Sequence, residues 1–536
     1  MAKKIIVHLG LVLLASVLFA CSFPNLLFEN GVPLLAWIAY IPVLALVSRN
    51  DILSCAGWGA IYGYAAYGLY NYWLSVFHPL AGVIVGGVYL VYMAVLFILL
   101  KLADLYFPKR AYLVQWLIWL AYEYLRTTGF LAYSYGITGY SQWRIIPLIQ
   151  IAGITGVWGV SALVLFPSFW LAQAVKGSKL RGIGGAVVSF FKKEKISALI
   201  WAAALAAALI YGVTTQKDFS SYPKARLALI QHNTDPWLPS KAPTAWQTME
   251  EYRRDLAILK RLSDEALADE PDMVVWPETA FVPRIYWHET YRDDQMSWML
   301  VKELLDYLSG KDTPFLIGND DARREPAKNP NPLENFRIDY NAALLFEKGK
   351  ITATYRKLHL VPFTEYFPYK KQLPFIYRIL EKADTHFWEK GNEATVFAGP
   401  GFTFSVPICF EDTFGYLSRN FVRAGADVLI NLSNDAWSKS LPAQNQHLSM
   451  AVFRAVENYR PMVRSTASGQ TCAIDPRGQV TAMALPFAEA WINTVIPLVK
   501  GETTYTRYGD YLALAFTIAA SVLLPFGIIS GKMRKR

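Results

Sequence analysis

Charge is scarce in this chain. Asp, Glu, Lys and Arg supply only 18% of its 536 residues, against 54% hydrophobic and 15% aromatic. An ordinary soluble domain is about one-quarter charged, so a wholly soluble protein is excluded and membrane segments are expected. Cysteine is scarcer still. Cys21, Cys55, Cys409 and Cys472 form no spaced metal or disulfide framework. The seven histidines show no ligand spacing, so neither a metal site nor a cofactor is expected. Internal repeats and low-complexity tracts are missing too, which removes solenoids and long disordered linkers. The net charge of +10 invites a nucleic-acid partner. That reading is rejected, because the basic residues sit mainly at the ends and short loops of apolar segments, where they set membrane orientation.

What is present is apolar and periodic. Seven spans of about 20 residues are expected near 5–23, 31–48, 54–77, 81–105, 111–127, 152–175 and 197–216, with an eighth near 511–530. Lys3 and Lys4 precede the first span and Arg49 follows the second. Lys109 and Arg110 follow the fourth. Lys176, Lys179, Arg181, Lys192, Lys193 and Lys195 are read as the loop after the sixth, and Lys532, Arg534, Lys535 and Arg536 end the chain. Every second loop is therefore basic, which places both termini in the cytoplasm and the stretch after the seventh span on the opposite face, the periplasm of a bacterium. The expected domains are 1–217 in the membrane, 218–506 exported, and 507–536 as a last helix with a basic tail. Lys3-Lys4, an apolar run and Leu18-Phe19-Ala20-Cys21 are similar to a lipoprotein signal peptide. Phe19 is bulky for a cleavage site and six more spans follow, so the segment is read as a membrane helix.

Few charges lie inside the spans apart from Glu123 and Arg126, which argues against a transport path. The loop after them, Gly129 to Gln142, is rich in glycine and aromatics. It reads either as an anchor with Arg126 snorkelling to headgroups or as a floor beneath an active site that admits lipid.

The exported stretch alternates strand and helix signals, which argues for a layered α/β domain. Strands are expected at 226–230, 273–275, 315–318, 342–346, 351–355, 428–432, 462–465 and 471–474, and helices at 248–268, 295–308, 413–424 and 444–458. Asp475-Pro476-Arg477-Gly478 is a turn.

Three strand ends carry chemistry. Val406-Pro407-Ile408-Cys409 is a short apolar run ending in a thiol, followed at once by Phe410, Glu411, Asp412 and a helix pattern. A buried inert cysteine is the usual reading of such a residue, but a helix start and a nearby cation would lower the thiol pKa and make a nucleophile. In Met273-Val274-Val275-Trp276-Pro277-Glu278 the proline ends the strand, so Glu278 projects from an edge, either as a solvated acid or as a general base. Lys357 shares a strand face with Ala353 and Tyr355, where it is either a surface lysine or a fixed cation for an oxyanion. Glu365, in an aromatic and proline-punctuated turn, could hold Lys357 or lie in solvent. His359 or His447 paired with Cys409 is the rival constellation, with no orienting partner evident.

These motifs and their flanks resemble the nitrilase (carbon–nitrogen hydrolase) superfamily. With the membrane part included, nearly the whole chain resembles the bacterial apolipoprotein N-acyltransferase family. The residues that carry the likeness are Glu123–Arg126, Gly139-Tyr140-Ser141-Gln142, Gly156–Ser161, Trp276-Pro277-Glu278, Tyr355-Arg356-Lys357, Val361-Pro362-Phe363, Glu365-Tyr366, Ile408–Glu411, Asn434–Trp437 and Arg454–Glu457. The resemblance implies a multi-span α-helical membrane domain plus an α/β nitrilase-like αββα sandwich domain. It implies Glu278 as base, Lys357 as oxyanion and thiolate partner, and Cys409 as nucleophile, supported by Glu365, Glu411 and Phe410. It further implies that Trp437 lies beside the lipid-entry side and that Glu123, Arg126 and Gln142 serve the membrane side. Apart from the resemblance, the aromatic stretches 281–291, with Trp287, and 366–388, with Tyr366, read either as mobile lids touching lipid or as ordinary loop packing. The implied reaction moves an acyl chain from phospholipid, through a thioester, to the α-amine of a diacylglyceryl-cysteine on an apolipoprotein. Thr364, Phe410 and Ala467 depart from the family's usual glycine, tyrosine and asparagine. A membrane-tethered amidase is the rival enzyme, and a transporter or receptor the non-enzymatic rival. No oligomerisation signal is evident, so a monomer is expected. Trp437→Ala should slow acyl transfer without unfolding the protein; unchanged turnover in a lipid assay would remove Trp437 from the site.

Overall fold

Apolar helices and alternating strands segregate along the chain, and they fold as two compact units in a computed structural model. One unit comprises Met1–Lys217, Ser438–Glu457 and Thr503–Arg536; the other comprises Asp218–Trp437 and Asn458–Glu502. The structure describes all residues except 1, 78, 130, 179–181, 235–243, 325–336, 363, 368, 370–371, 373, 376–377, 379–386 and 534–536, and the side chains of 77, 79, 80, 245 and 532.

Among the described residues of the first unit, five helices are long and apolar enough to cross a bilayer: Ala2–Ser22, Ala81–Tyr106, Val157–Ala174, Ile183–Thr214 and Tyr511–Gly531. The other expected spans are shorter or broken. Residues 31–48 form a 3-10 turn, Pro33–Trp37, and a short helix, Ile41–Arg49. Ile52–Tyr70 loses hydropathy to its glycines and tyrosines, and Ala111–Leu125 is only 15 residues long. The span expected at 152–175 is interrupted at Gly156, whose φ of +65° separates Ala152–Thr155 from Val157–Ala174. Lys192, Lys193 and Lys195, expected in a loop, lie on Ile183–Thr214 around a kink at Glu194. Lysine and glutamate are good helix formers, so the helix runs through the basic patch. Glu194 accepts hydrogen bonds there from Tyr112 Oη (3.0 Å) and Arg110 Nε (3.4 Å). Lys179, Arg181, Arg534, Lys535 and Arg536 lie outside the described residues. The spans also hold more charge than Glu123 and Arg126. Lys101 and Asp104 are buried as a pair 3.1 Å apart, and Lys176 also pairs with Asp104.

Small residues let the helices Ile52–Tyr70 and Pro79–Tyr106 meet backbone to backbone. A Cβ on Gly63 would lie 2.2 Å from Tyr89 O, and one on Gly59 would lie 2.5 Å from Met93 O. The helix Leu441–Asn458, expected within the exported block 218–506, falls almost entirely in this unit. Its polar face explains why. Gln446 Nε2 donates to Pro24 O (2.9 Å) and Tyr70 O (3.2 Å), while Gln446 Oε1 accepts from Trp73 Nε1 (3.0 Å). Arg454 donates to Tyr140 Oη (3.0 Å), and Glu457 accepts from Val157 N (3.0 Å).

The second unit is a two-sheet sandwich. Its strands are β1 (Lys224–Gln231), β2 (Met273–Val275), β3 (Phe315–Arg324), β4 (Arg337–Glu347), β5 (Lys350–Arg356), β6 (Phe397–Ala398), β7 (Thr403–Ser405), β8 (Val428–Ser433), β9 (Met462–Thr466), β10 (Cys472–Ile474), β11 (Val480–Met483) and β12 (Ala490–Pro497). One sheet has the order β12-β1-β2-β3-β4-β5 and the other β11-β10-β9-β8-β7-β6. β1–β2–β3 and β7–β8–β9 run parallel, with antiparallel strands added at both flanks. The amphipathic helices Ala245–Leu267 and Gln295–Ser309 cover the first sheet, where Leu256, Leu259, Leu262, Leu300 and Leu304 are buried against Val274, Ile317 and Leu344. Gly415–Ala424 packs on the second. The sheets are pinned together by Ser465 Oγ, which donates to Ile230 O (2.9 Å) and Val275 O (3.1 Å). Strands β6, β7, β11 and β12 have no counterpart in the sequence reading; β11 and β12 are half-buried and lack a continuous apolar run.

Gly63→Leu should destabilise the membrane unit by about 1–3 kcal/mol or more, the usual cost of overpacking, because its clash is with backbone. Thermal melting of the detergent-solubilised protein measures this, and an unchanged midpoint would mean the two helices part freely.

Candidate active site

β2 lies between β1 and β3, so Glu278 sits past the end of an interior strand and not on a sheet edge. Pro277 supplies no N–H and stops the ladder. Trp276 anchors the turn from the core, donating from Nε1 to Ser263 Oγ at 2.9 Å. The turn also needs Gly318 on β3, where a Cβ would fall 2.3 Å from Pro277 O and 2.7 Å from Glu278 Cα. The carboxylate is buried, and both oxygens are held: Oε1 accepts from Asn341 Nδ2 (2.8 Å) and Oε2 from the Asn434 backbone N–H (3.0 Å).

Asn341 also places the cation. Its carbonyl accepts the Lys357 N–H at 2.8 Å, just after β5 ends. Lys357 is 0% exposed; its Nζ donates to Glu365 Oε1 at 2.7 Å and lies 3.5 Å from Glu278 Oε1. Glu365 is fixed in turn, because its Oε2 accepts from Val361 N at 2.9 Å.

Cys409 completes the group, close enough that the charges of Glu278 and Lys357 both act on its thiol. Its φ of +49° is in the left-handed region, which costs a non-glycine residue about 1 kcal/mol or more and turns the side chain out of the strand direction. Asn431 Nδ2 holds this turn, donating to Pro407 O (3.0 Å) and Cys409 O (3.2 Å). The expected strand 406–408 is in fact a link with one bridge, Ile408 to Leu432. A single 3-10 turn, Cys409–Thr413, separates the thiol from the helix Gly415–Ala424. The expectation that a helix start lowers the thiol pKa is therefore corrected. Burial first, and then the Glu278 carboxylate, push the thiol well above its ordinary value, with Lys357 pulling the other way. Burial likewise raises Glu278, opposed by Lys357. For Lys357 burial disfavours the charge, but Glu365 and Glu278 outweigh it and hold the ammonium above its ordinary range. The resting group is thus a protonated thiol near a carboxylate, beside a lasting cation. That arrangement can deprotonate the thiol as it attacks and neutralise an oxyanion.

Two family models match: carbon–nitrogen hydrolase over residues 226–505, and the N-terminal domain of apolipoprotein N-acyltransferase over residues 15–170. Apolipoprotein N-acyltransferase 1 of Treponema denticola is 44% identical to the chain, covering 99% of it and 97% of that relative. Its namesake in Treponema pallidum is 45% identical, covering 98% and 96%, and the apolipoprotein N-acyltransferase of Geobacter metallireducens is 33% identical, covering 95% and 93%. The chain belongs to the apolipoprotein N-acyltransferase family.

The supporting residues of this apolipoprotein N-acyltransferase separate by surroundings. Glu411 is fully buried and ties two loops together. Its Oε1 accepts from the N–H groups of Leu358 (2.7 Å) and His359 (2.9 Å), its Oε2 from Ile408 N (2.8 Å), and both from Tyr355 Oη (2.9 Å each). Burial pushes its carboxyl up to about 7 against these donors. Phe410 is half-buried, edge-on to Phe414 at 4.9 Å. His359, the rival base, faces Tyr416 Oη at 2.8 Å and is pushed down to about 4 by burial and by Lys390 and Lys357; among the described residues no carboxylate pairs with it. Arg464 is buried and pairs with both Asp412 and Asp435, joining the Cys409 turn to the loop that carries Trp437. Trp437 is half-buried in the turn Ala436–Ser438. Tyr366 is half-buried with Lys390 Nζ 4.4 Å above its ring.

Other expectations need correction. Trp287, expected at lipid, is 2% exposed; its Nε1 donates to Asp293 (2.8 Å) and its ring packs on Tyr291 (4.5 Å). The candidate lid 281–291 contains a short helix, Ile285–Tyr291, that buries Ile285, Trp287 and His288 and exposes Glu289 and Thr290; much of the other, 366–388, lies outside the described residues, as does Phe363. Arg126 does not snorkel. It is 5% exposed, donates to Tyr89 Oη (2.9 Å), Tyr133 O (3.0 Å) and Tyr135 O (2.8 Å), and is ringed by Tyr67, Tyr89 and Tyr122. Glu123 accepts from Thr138 N (3.1 Å) and Oγ1 (2.5 Å), and Gln142 Nε2 donates to Pro33 O (2.9 Å). All three brace the loop between the helices of their own unit. Asn341, Asn431 and the contact of Tyr355 with Glu411 escaped the sequence reading. Asn341 left one signal, an amide standing directly before the apolar run Ala342–Phe346.

Glu411→Gln should destabilise the catalytic unit by about 1–3 kcal/mol, because either orientation of the amide points N–H at backbone N–H. Thermal melting checks this, and stability equal to wild type would show that the donors have other acceptors.

Proposed function

We propose that this apolipoprotein N-acyltransferase works through a thioester on Cys409. The observation that carries the reading is the buried Lys357 ammonium between Glu278 and Glu365, with the charges of Glu278 and Lys357 both acting on the Cys409 thiol. As the sulfur attacks the ester carbonyl of a phospholipid, its proton passes to Glu278, and the tetrahedral oxyanion develops beside Lys357. Collapse breaks the acyl–oxygen bond. Glu278 returns the proton to the departing alcohol, so a lysophospholipid leaves and the acyl chain stays on sulfur. The neutral α-amine of a diacylglyceryl-cysteine then attacks the thioester, Glu278 takes its proton, and carbon–sulfur cleavage gives the amide and restores the thiol. This is a two-stage, ping-pong course.

Glu365 keeps Lys357 in place, and Glu411 with Phe410 shapes the turn that presents the sulfur. Trp437 and Tyr366, both half-buried, are the candidates for lipid contact. Both substrates are lipid-anchored, so a catalytic unit held to the membrane meets them at raised effective concentration. The basic loops support cytoplasmic termini and a periplasmic catalytic unit in the bacterial inner membrane.

Intact-mass measurement after incubation with phospholipid should reveal a long-chain acyl adduct on Cys409. Glu278→Gln and Lys357→Ala should slow its formation by about 10²-fold or more. A tethered amidase predicts no such adduct, and its absence would remove the lipid donor. The pH dependence has a definite sign. Glu278 must be ionised to accept the thiol proton and its pKa is raised, so acylation should fall on acidification at a pH above the ordinary carboxylate range. A rate still undiminished within that range would exclude Glu278 as the base.

A further inference from the structure

Trp388 occupies a junction that the reaction above does not use. The residue is 6% exposed. Its backbone N–H donates to Glu365 O at 2.8 Å, and its indole Nε1 donates to Asp320 Oδ1 at 3.1 Å. The chain continues as a strap beside the cation: Glu389 N donates to Asp339 O (2.9 Å) and Gly391 N to Lys357 O (2.8 Å). The approach is close enough that a Cβ on Gly391 would fall 2.2 Å from Arg356 O. Asp320 is on β3, directly opposite Asn341 in the β3–β4 register. Asn341 is the residue that holds the Glu278 carboxylate and accepts the Lys357 N–H. One end of the Trp388–Asp320 contact therefore grips the strand pair that places Glu278 and Lys357. The other grips the backbone of Glu365, whose carboxylate clamps the Lys357 ammonium.

Arg284 lies 3.9 Å from Asp320 and is paired more closely with Asp339, at 3.0 Å. Burial pushes the Asp320 carboxyl up to about 7, with Arg284 and the indole opposing. A buried carboxyl kept against an indole N–H supplies direction, since the tryptophan loses its hydrogen bond if it turns.

We propose that Trp388 and Asp320 are positioning residues for acyl transfer, holding the Glu365 backbone where its carboxylate can clamp Lys357. The inference rests on the thioester reading. Its test uses the full chain in mixed phospholipid–detergent micelles, with Cys409 acylation followed by intact mass in a single turnover and then chased with a diacylated cysteinyl peptide. Trp388→Phe should slow acylation about tenfold, the worth of one buried hydrogen bond, while KM for the peptide stays put. Asp320→Leu should match it, and Asp320→Asn, which keeps the acceptor oxygen, should acylate close to the wild-type rate. Trp388→Phe combined with Asp320→Leu should be no slower than either alone, because the same contact is lost once. The Asp320→Asn and Asp320→Leu pair carries the comparison without touching the indole, should Trp388→Phe fold poorly. Wild-type rates in both Trp388→Phe and Asp320→Leu, losses that multiply, or an Asp320→Asn as slow as Asp320→Leu would overturn the pair's role while leaving the thioester intact. A wild-type protein that forms no adduct would overturn the thioester reading, and this inference with it.

Discussion

One buried ammonium organises the catalytic unit. An isolated charge inside a protein is costly enough that it either finds partners or gives up its proton. Lys357 is fully buried and has two carboxylates within reach, Glu365 at 2.7 Å and Glu278 at 3.5 Å. Those acids come from different parts of the chain, and each is braced by its own donors. Asn341 and Asn434 hold Glu278, and Val361 holds Glu365. The sheet geometry delivers both acids to one cation, with the thiol of Cys409 beside them. Its positive φ and the amide of Asn431 keep it presented.

The membrane unit answers the same constraint in another setting. Polar groups there have little water to turn to, so Arg126 Nη1 turns to two carbonyls and a phenol and Glu123 Oε1 to a threonine, while Arg126 Nε and Nη2 and Glu123 Oε2 find no hydrogen-bond partner among the described residues. Lys101, Asp104 and Lys176 settle their charges as a cluster. The helix Leu441–Asn458 buries a row of amides and an Arg454–Glu457 pair among the apolar helices, with Gln446 bonding Pro24, Tyr70 and Trp73. Polar side chains, which in a soluble helix would mark a solvent face, are here the face that packs.

Local patterns fared well wherever physics is local. The helices at 245–267 and 295–309 and the strands β1, β2, β8 and β9 stand close to where their periodicity put them, because burial of one face dictates spacing. The sequence reading was weakest where the answer depends on neighbours. Lys192, Lys193 and Lys195 looked like a loop and are helical. Trp287 looked like a lipid contact and is core. The thiol of Cys409 was expected to be lowered by a helix start; it is raised by burial and an adjacent carboxylate.

By itself the sequence determined the class of the molecule, the division into membrane and α/β parts, and the residue types that end three strands, since hydropathy, period and turn chemistry are written residue by residue. Only the tertiary structure decided that Glu278, Lys357 and Glu365 form one charged group beside Cys409, and that Asn341, Asn431 and Trp388 brace it. Contacts between residues tens of positions apart arise from strand order and register, and no single stretch of chain encodes those.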